Sequence, residues 1–207
     1  MTLSAEKFSQ GMTTEQYIEY IKVNKQPFVD IYAATDIPAE IQGFFNSLPQ
    51  PLNLVVFTSD WCGDAMSTTP AILRLADSTE NLNLEVFSRD DELDLANSFL
   101  PENRAGTTPV FVVFDSEMRE VSRFIETARS LVPQIDAMDE MIAKEVVGEG
   151  DNARAAGRGK RTAFRVGHAK EWSTVILNEF KQVVEEGLGL PPGQRPAEGG
   201  TQWPPQD

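Results

Sequence analysis

Residues Val55–Pro70 read Val-Val-Phe-Thr-Ser-Asp-Trp-Cys-Gly-Asp-Ala-Met-Ser-Thr-Thr-Pro. The apolar run from Leu52 to Phe57 predicts a buried strand, and Thr58–Asp60 supplies turn chemistry. Helical spacing resumes at Met66, Ile72, Leu73 and Ala76. The single cysteine of the chain, Cys62, is therefore expected where a strand hands over to a helix. The first turn of a helix presents unpaired N–H groups and partial positive charge, which favours thiolate, the nucleophilic form of cysteine. Pro70 falls inside the helical pattern and must bend it, because it removes a backbone hydrogen bond.

Working outward from this turn, the order is strand, helix, strand, helix, strand, strand, helix. The second strand is expected at Asn83–Phe87, and Asp90-Asp91 is expected to cap a short helix carrying Leu93, Ala96 and Phe99. Val110–Phe114 is a continuous apolar run, Asp115-Ser116 a turn, and Val121–Ile125 an antiparallel neighbour. Leu131, Ile135, Met138, Ile142 and Val146 space out as one helix face. Alternating elements followed by a hairpin and a last helix predict an α/β fold with a mixed central sheet flanked by helices.

Upstream, Met1–Met12 reads as polar and loose. Thr13 and Gln16 form a capping box opening a helix with Tyr17, Ile18 and Ile21 as its apolar stripe. A second helical piece is expected at Pro38–Leu48, with Ile37, Ile41, Phe44 and Phe45 on its buried side. Leu48-Pro49-Gln50-Pro51 punctuates the chain. These signals divide it into an N-terminal helical extension over residues 1–48 and an α/β domain over 49–147.

Downstream, residues 148–187 read as a basic linker and an amphipathic helix. Arg154, Arg158, Lys160, Arg161, Arg165 and Lys170 follow one another with no acid between them. This is a weak anion-binding candidate; the plainer expectation is that these cations rest on the protein's own acidic surface. Gly157–Arg161 is not a phosphate-binding loop, because it lacks the hydroxyl after the lysine and the upstream glycine. Trp172, Ile176, Phe180 and Val183 repeat at helical spacing, a stripe expected to fold back on the body. In residues 187–207, ten of twenty-one are glycine or proline, so residues 188–207 are expected to be a disordered tail containing Trp203.

Composition narrows the function. Net charge is −14, which argues against a general nucleic-acid or anionic-membrane binder. One cysteine rules out an internal disulfide framework and a multi-cysteine zinc site. Met1–Gln10 has no signal-peptide core and no run approaches a membrane span, so a cytoplasmic setting with a reduced thiol is expected. Asp90, Asp91, Glu92 and Asp94 do not have the spacing of a calcium loop.

Trp61-Cys62-Gly63-Asp64-Ala65, with Pro70 placed as it is, resembles the active-site turn of the thioredoxin family. Thr107-Thr108-Pro109-Val110 resembles that family's cis-proline loop opposite the cysteine, and the likeness covers about Asn53 to Val147. The resemblance implies a thioredoxin-like fold with added N- and C-terminal helices. Two departures stand out: Ala65 occupies the place of the second, resolving cysteine, and Val56 stands where thioredoxins often bury an acid. Ser88–Leu93 resembles a branch of bacterial thioredoxin-like proteins with Cys-Gly-Asp-Ala turns.

The resemblance makes Cys62 the catalytic candidate, with Trp61, Gly63, Asp64, Thr108 and Pro109 as the substrate-binding set and no metal or cofactor. Asp60 and Asp64 oppose thiolate while the helix start favours it, so a modest net shift is expected. Ala65 cannot resolve a mixed disulfide, and neither can the hydroxyls of Ser67 and Thr68, so turnover requires an external low-molecular-weight thiol. The expected partner is a protein or small-molecule disulfide. A Cys62–His168 dyad is a further possibility, against the plainer reading of His168 as an exposed helix residue. The alternatives to thiol–disulfide exchange are a non-redox peptide-binding module and a sensor whose cysteine is oxidised or capped.

Overall fold

The computed structural model describes residues 3–201. Its centre is a five-stranded mixed sheet in the order β2-β1-β3-β4-β5. Strand β1 (Leu52–Thr58) pairs parallel with β2 (Leu82–Ser88) and antiparallel with β3 (Val110–Phe114). Strand β4 (Glu120–Ile125) runs antiparallel to β3 and parallel to β5 (Ala197–Gly200).

Both faces of the sheet are covered, so the central strands read as continuous apolar runs and not as alternation. Leu54, Val56, Phe111 and Val113 point into one core; Val55, Phe57, Val110, Val112 and Phe114 point into the other. The second core is closed by Leu3 near α1 (Ala5–Phe8) and by Leu95 and Ala96 of α6 (Leu93–Asn97), with Phe99 just beyond. The first core is the larger. It takes residues from α2 (Thr14–Tyr20), α3 (Lys25–Ala34), α4 (Ala39–Asn46), α5 (Gly63–Asp77), α7 (Val132–Glu145) and α9 (Ala169–Gly189).

The capping box at Thr13 and Gln16 is formed in full. Upstream of β1, two helices escape the sequence patterns: the single turn of α1 within the segment expected to be loose, and α3. Met12 pairs with Val86 in both directions (2.8 Å each) and so covers part of the outer edge of β2. Asp90 and Asp91 do not cap α6, since Asp91 is bound to Tyr20 and Asp90 to Trp61; Glu92 takes that position, and its carboxylate accepts from Lys7 instead of from the helix N–H groups.

Two expectations about the C-terminal region are corrected. The basic stretch is a helix, α8 (Asp151–Gly167), and not a linker. Four of its five cations face carboxylates of this chain: Arg154 on Asp151, Lys160 on Glu145, Arg161 on Asp139 and Arg165 on Asp64; Lys170, beyond the helix, faces Asp36. Within the described part of the tail, residues 197–200 form β5 and not a disordered segment; Trp203 lies outside the described residues. The glycines that read as disorder permit this packing. Gly200 has φ +87°, and a Cβ there would lie 2.1 Å from the Ile125 carbonyl oxygen.

Helix α9 lies across this arrangement, with Trp172, Ile176, Phe180 and Val184 all buried. Phe180 packs against Phe45, Phe111 and Phe124, joining α4, β3 and β4 in one aromatic group. Burying each such side chain is worth about 1.5–3 kcal/mol, which explains why the stripe folds inward. No helix among the described residues is long and apolar enough to cross a membrane.

Candidate functional site

Cys62 occupies the N-cap position of α5, at the carboxyl end of β1. The Met66 N–H bonds to its carbonyl (3.0 Å), which starts the helix directly behind the thiol. The sulfur is half-buried and donates to the Thr108 carbonyl oxygen at 3.4 Å. The Thr108–Pro109 bond is cis, and Thr108 and Pro109 are buried. Fold topology thus brings together Cys62, Gly63 and Asp64 at the head of α5 with Thr108 and Pro109 at the entry to β3.

The electrostatic balance at the sulfur differs from the one read in sequence. Burial is the largest influence and raises the thiol, and the Asp64 charge adds to it. The N–H groups of Ala65 and Asp64 at the start of α5 pull the other way, as does the Arg165 guanidinium, and the net shift is upward. Asp60 is engaged elsewhere. Its carboxylate accepts the Lys22 and Val23 N–H groups (2.8 and 2.9 Å) and ties the α2–α3 loop to the turn.

Trp61 is 54% exposed, and its indole N–H donates to Asp90 at 2.7 Å. Burial alone would raise the Asp90 carboxyl, but hydrogen bonds from Trp61 and Arg89 outweigh it and hold the group below its ordinary value. Arg89 also donates to the Gly106 carbonyl at 2.5 Å, just before the Thr108–Pro109 loop. A chain from Trp61 through Asp90 and Arg89 to Gly106 therefore links the two sides of the site. This gives the Ser88–Leu93 stretch a local role that spacing alone did not reveal.

Two more side chains, Arg165 and Glu126, join the site in a way that no spacing in the sequence indicates. Arg165 of α8 donates to Asp64 Oδ1 (2.9 Å) and Ser67 Oγ (2.7 Å). Its side chain is only 6% exposed, and the guanidinium lies over the Trp172 ring. The guanidinium also lies beside Gly63, where a Cβ would stand in ordinary contact with it at 3.5 Å. Glu126 follows β4, donates its N–H to the Pro109 carbonyl (2.8 Å), and pairs its carboxyl with Thr201 and Arg104. Burial raises that carboxyl, and the Asp64 charge adds to the effect.

The dyad with His168 is not formed. The imidazole Nδ1 bonds to the Phe164 carbonyl at 2.8 Å and the ring stacks on Phe164, which turns it to the α8–α9 corner. Ala65 is buried behind Cys62, and the Ser67 hydroxyl is held by Arg165 and the Gly63 carbonyl. Val56 is fully buried among apolar neighbours, so no acid lies at that place.

The sequence model of a family described as Thioredoxin matches residues 11–139. Among solved structures, a protein of unknown function from Pseudomonas aeruginosa is similar at a TM-score of 0.56 and 17% identity, over 86% of this chain and 99% of that one. An HIV epitope-scaffold is similar at 0.52 and 17%, over 84% of this chain and 97% of its own. At such identities the likeness concerns the fold alone. No curated protein matches the chain.

Proposed function

Because the chain belongs to the thioredoxin family, we propose that it is a single-cysteine member working in thiol–disulfide exchange with an external thiol. The observation that carries this reading is the position of the Cys62 sulfur at the head of α5, half-buried and 3.4 Å from the Thr108 carbonyl. In the first step the Cys62 thiolate attacks one sulfur of a disulfide R–S–S–R′. A bond from Cys62 to the R sulfur forms, the S–S bond breaks, and R′S⁻ leaves and takes up a proton from solvent. In the second step an external thiolate attacks the R sulfur of the mixed disulfide, which releases Cys62 as thiolate. No resolving group stands beside Cys62, because position 65 is alanine and Ser67 is bound to Arg165. Trp61, Gly63, Asp64, Thr108 and Pro109 line the approach to the sulfur, and we place the activity in a reducing bacterial cytoplasm, where a lone thiol persists.

The upward shift of the thiol sets the pH dependence. Thiolate is the reactive form, so the exchange rate climbs about tenfold per pH unit below the thiol's pKa, and the climb continues beyond the ordinary value of about 8.5. The same shift favours one second reading, a peptide-binding module in which Cys62 is incidental. The test is turnover of a small mixed disulfide by purified protein. Exchange reading: turnover appears only when glutathione is supplied and is lost in Cys62→Ser. Binding reading: Cys62→Ser binds peptide as the unaltered protein does and neither turns over disulfide.

A further inference from the structure

Arg165 reaches the Cys62 turn from a helix that begins after the α/β region has ended, and its position is costly. A guanidinium taken out of water loses hydration, which only well-made partners offset. The partners are Asp64 at 2.9 Å and Ser67 at 2.7 Å, both on the first turns of α5, with the Trp172 ring beneath. Asp64 stands two residues from the thiol, on the helix end that favours anions. Left alone, it would both occupy that positive end and oppose a second negative charge on the sulfur.

We propose that Arg165 is a positioning residue for Cys62: it neutralises and holds Asp64, so that the positive end of α5 remains available to the sulfur. The proposal rests on the thiol-exchange reading and adds to it the residue that keeps the nucleophile competent. Asp64 acts against thiolate formation and Arg165 acts for it, in keeping with their signs.

The other charged groups facing this turn are held by partners of their own. Asp60, from the β1–α5 turn, is fixed on the Lys22 and Val23 N–H groups. Asp90, from the β2–α6 turn, is held by Trp61 and Arg89. Glu126, at the end of β4, is paired with Thr201 and Arg104, and the His168 ring is turned away to the α8–α9 corner on the Phe164 carbonyl. Asp64 and Arg165 are therefore the pair whose balance the sulfur feels most directly.

The experiment measures iodoacetamide alkylation of the full chain against pH, with Cys62 as the only thiol. The proteins are the unaltered chain, Arg165→Met, Arg165→Lys, Asp64→Asn and the double variant Asp64→Asn/Arg165→Met. Methionine keeps contact with Trp172 and Gly63 while removing the charge. The midpoint is expected to rise by about one pH unit in Arg165→Met, which is about tenfold slower alkylation at neutral pH. Asp64→Asn should lower it, Arg165→Lys should stay within threefold of the unaltered rate, and the double variant should return most of the way. A purely structural strut would lower the thermal midpoint of Arg165→Met and leave the alkylation midpoint in place; that result overturns the proposal. So does an Arg165→Met effect of equal size with and without Asp64. Should Arg165→Met not fold, Asp64→Asn decides: an unchanged midpoint there overturns the proposal. Glutathione-driven turnover of a small mixed disulfide by the same proteins separates the two levels. Turnover with alkylation insensitive to Arg165 rejects this inference alone, whereas the expected shifts without turnover reject the exchange reading alone.

Discussion

Residues 52–145 and residues 148–201 meet at the same site but were built on different information. The first region holds β1, the Cys62 turn, α5 and the Thr108–Pro109 loop, and each is written in local pattern: an apolar run, a turn, a helical stripe, a proline. The second region holds α8, α9 and β5, which complete what the first leaves open. Helix α9 covers the large face of the sheet, β5 adds its outer strand, and α8 delivers Arg165 to Asp64. The α/β region supplies the thiol, while the C-terminal region supplies much of its surroundings.

Ending the chain at Gly150 would remove α8, α9 and β5 together. Phe45, Phe111 and Phe124 would lose Phe180, and β4 would become an open edge. We expect loss of near-UV circular dichroism and of cooperative melting; an unchanged melting midpoint would mean that α8, α9 and β5 are dispensable to the fold.

Trp172→Ala is the next largest perturbation. Trp172 is 2% exposed and its indole N–H donates to Gln134 at 2.8 Å, tying α9 to α7. Urea unfolding should show a loss of about 3–5 kcal/mol, as for other large aromatic deletions in cores. Gly187→Ala sharpens the comparison by its sign. Helix propensity alone would make alanine better by about 1 kcal/mol. A Cβ at this position would sit 2.2 Å from the Val121 carbonyl oxygen, so α9 would have to lift from β4. We expect net destabilisation of about 1–3 kcal/mol, measured by the same unfolding curves.

Ala65→Cys is expected to have the smallest effect on stability and a distinct one on activity. Position 65 lies in the first turn of α5, three residues after Cys62 at the N-cap, so an introduced thiol would lie close to the sulfur. The variant should form the new disulfide and gain weak, dithiothreitol-driven insulin reduction, of which the unaltered protein is expected to show little or none. The gain stays weak because Asp64 opposes the thiolate and Val56 offers no buried acid. A disulfide that forms and reduces nothing would turn the choice toward the binding reading.

The legible part of the molecule is the part written in short-range pattern. The runs at Leu52–Phe57 and Val110–Phe114, the capping box at Thr13, and the stripe of α9 each state their own environment. Helix α3 was missed because Asn24 opens it in a left-handed conformation with no side-chain cap, leaving no start signal. The tail misled because glycine signals both freedom and close approach, and only the neighbouring strand and helix distinguish them. At the site, Cys62 was visible from its turn, while Arg165 looked like any cation in a basic run. Its partner Asp64 lies 101 residues away, and no spacing rule spans that distance. The direction of the thiol's shift turned on burial, a property of the assembled fold.

The central claim is that Cys62 exchanges with disulfides and needs an outside thiol to be freed. The most direct measurement follows the protein's intact mass after exposure to a small symmetrical disulfide such as cystamine, first without and then with glutathione. One adduct is expected on the folded protein, stable until glutathione is added and then removed to restore the original mass. No adduct on the folded protein, with ready adduct formation once it is unfolded, would contradict that claim.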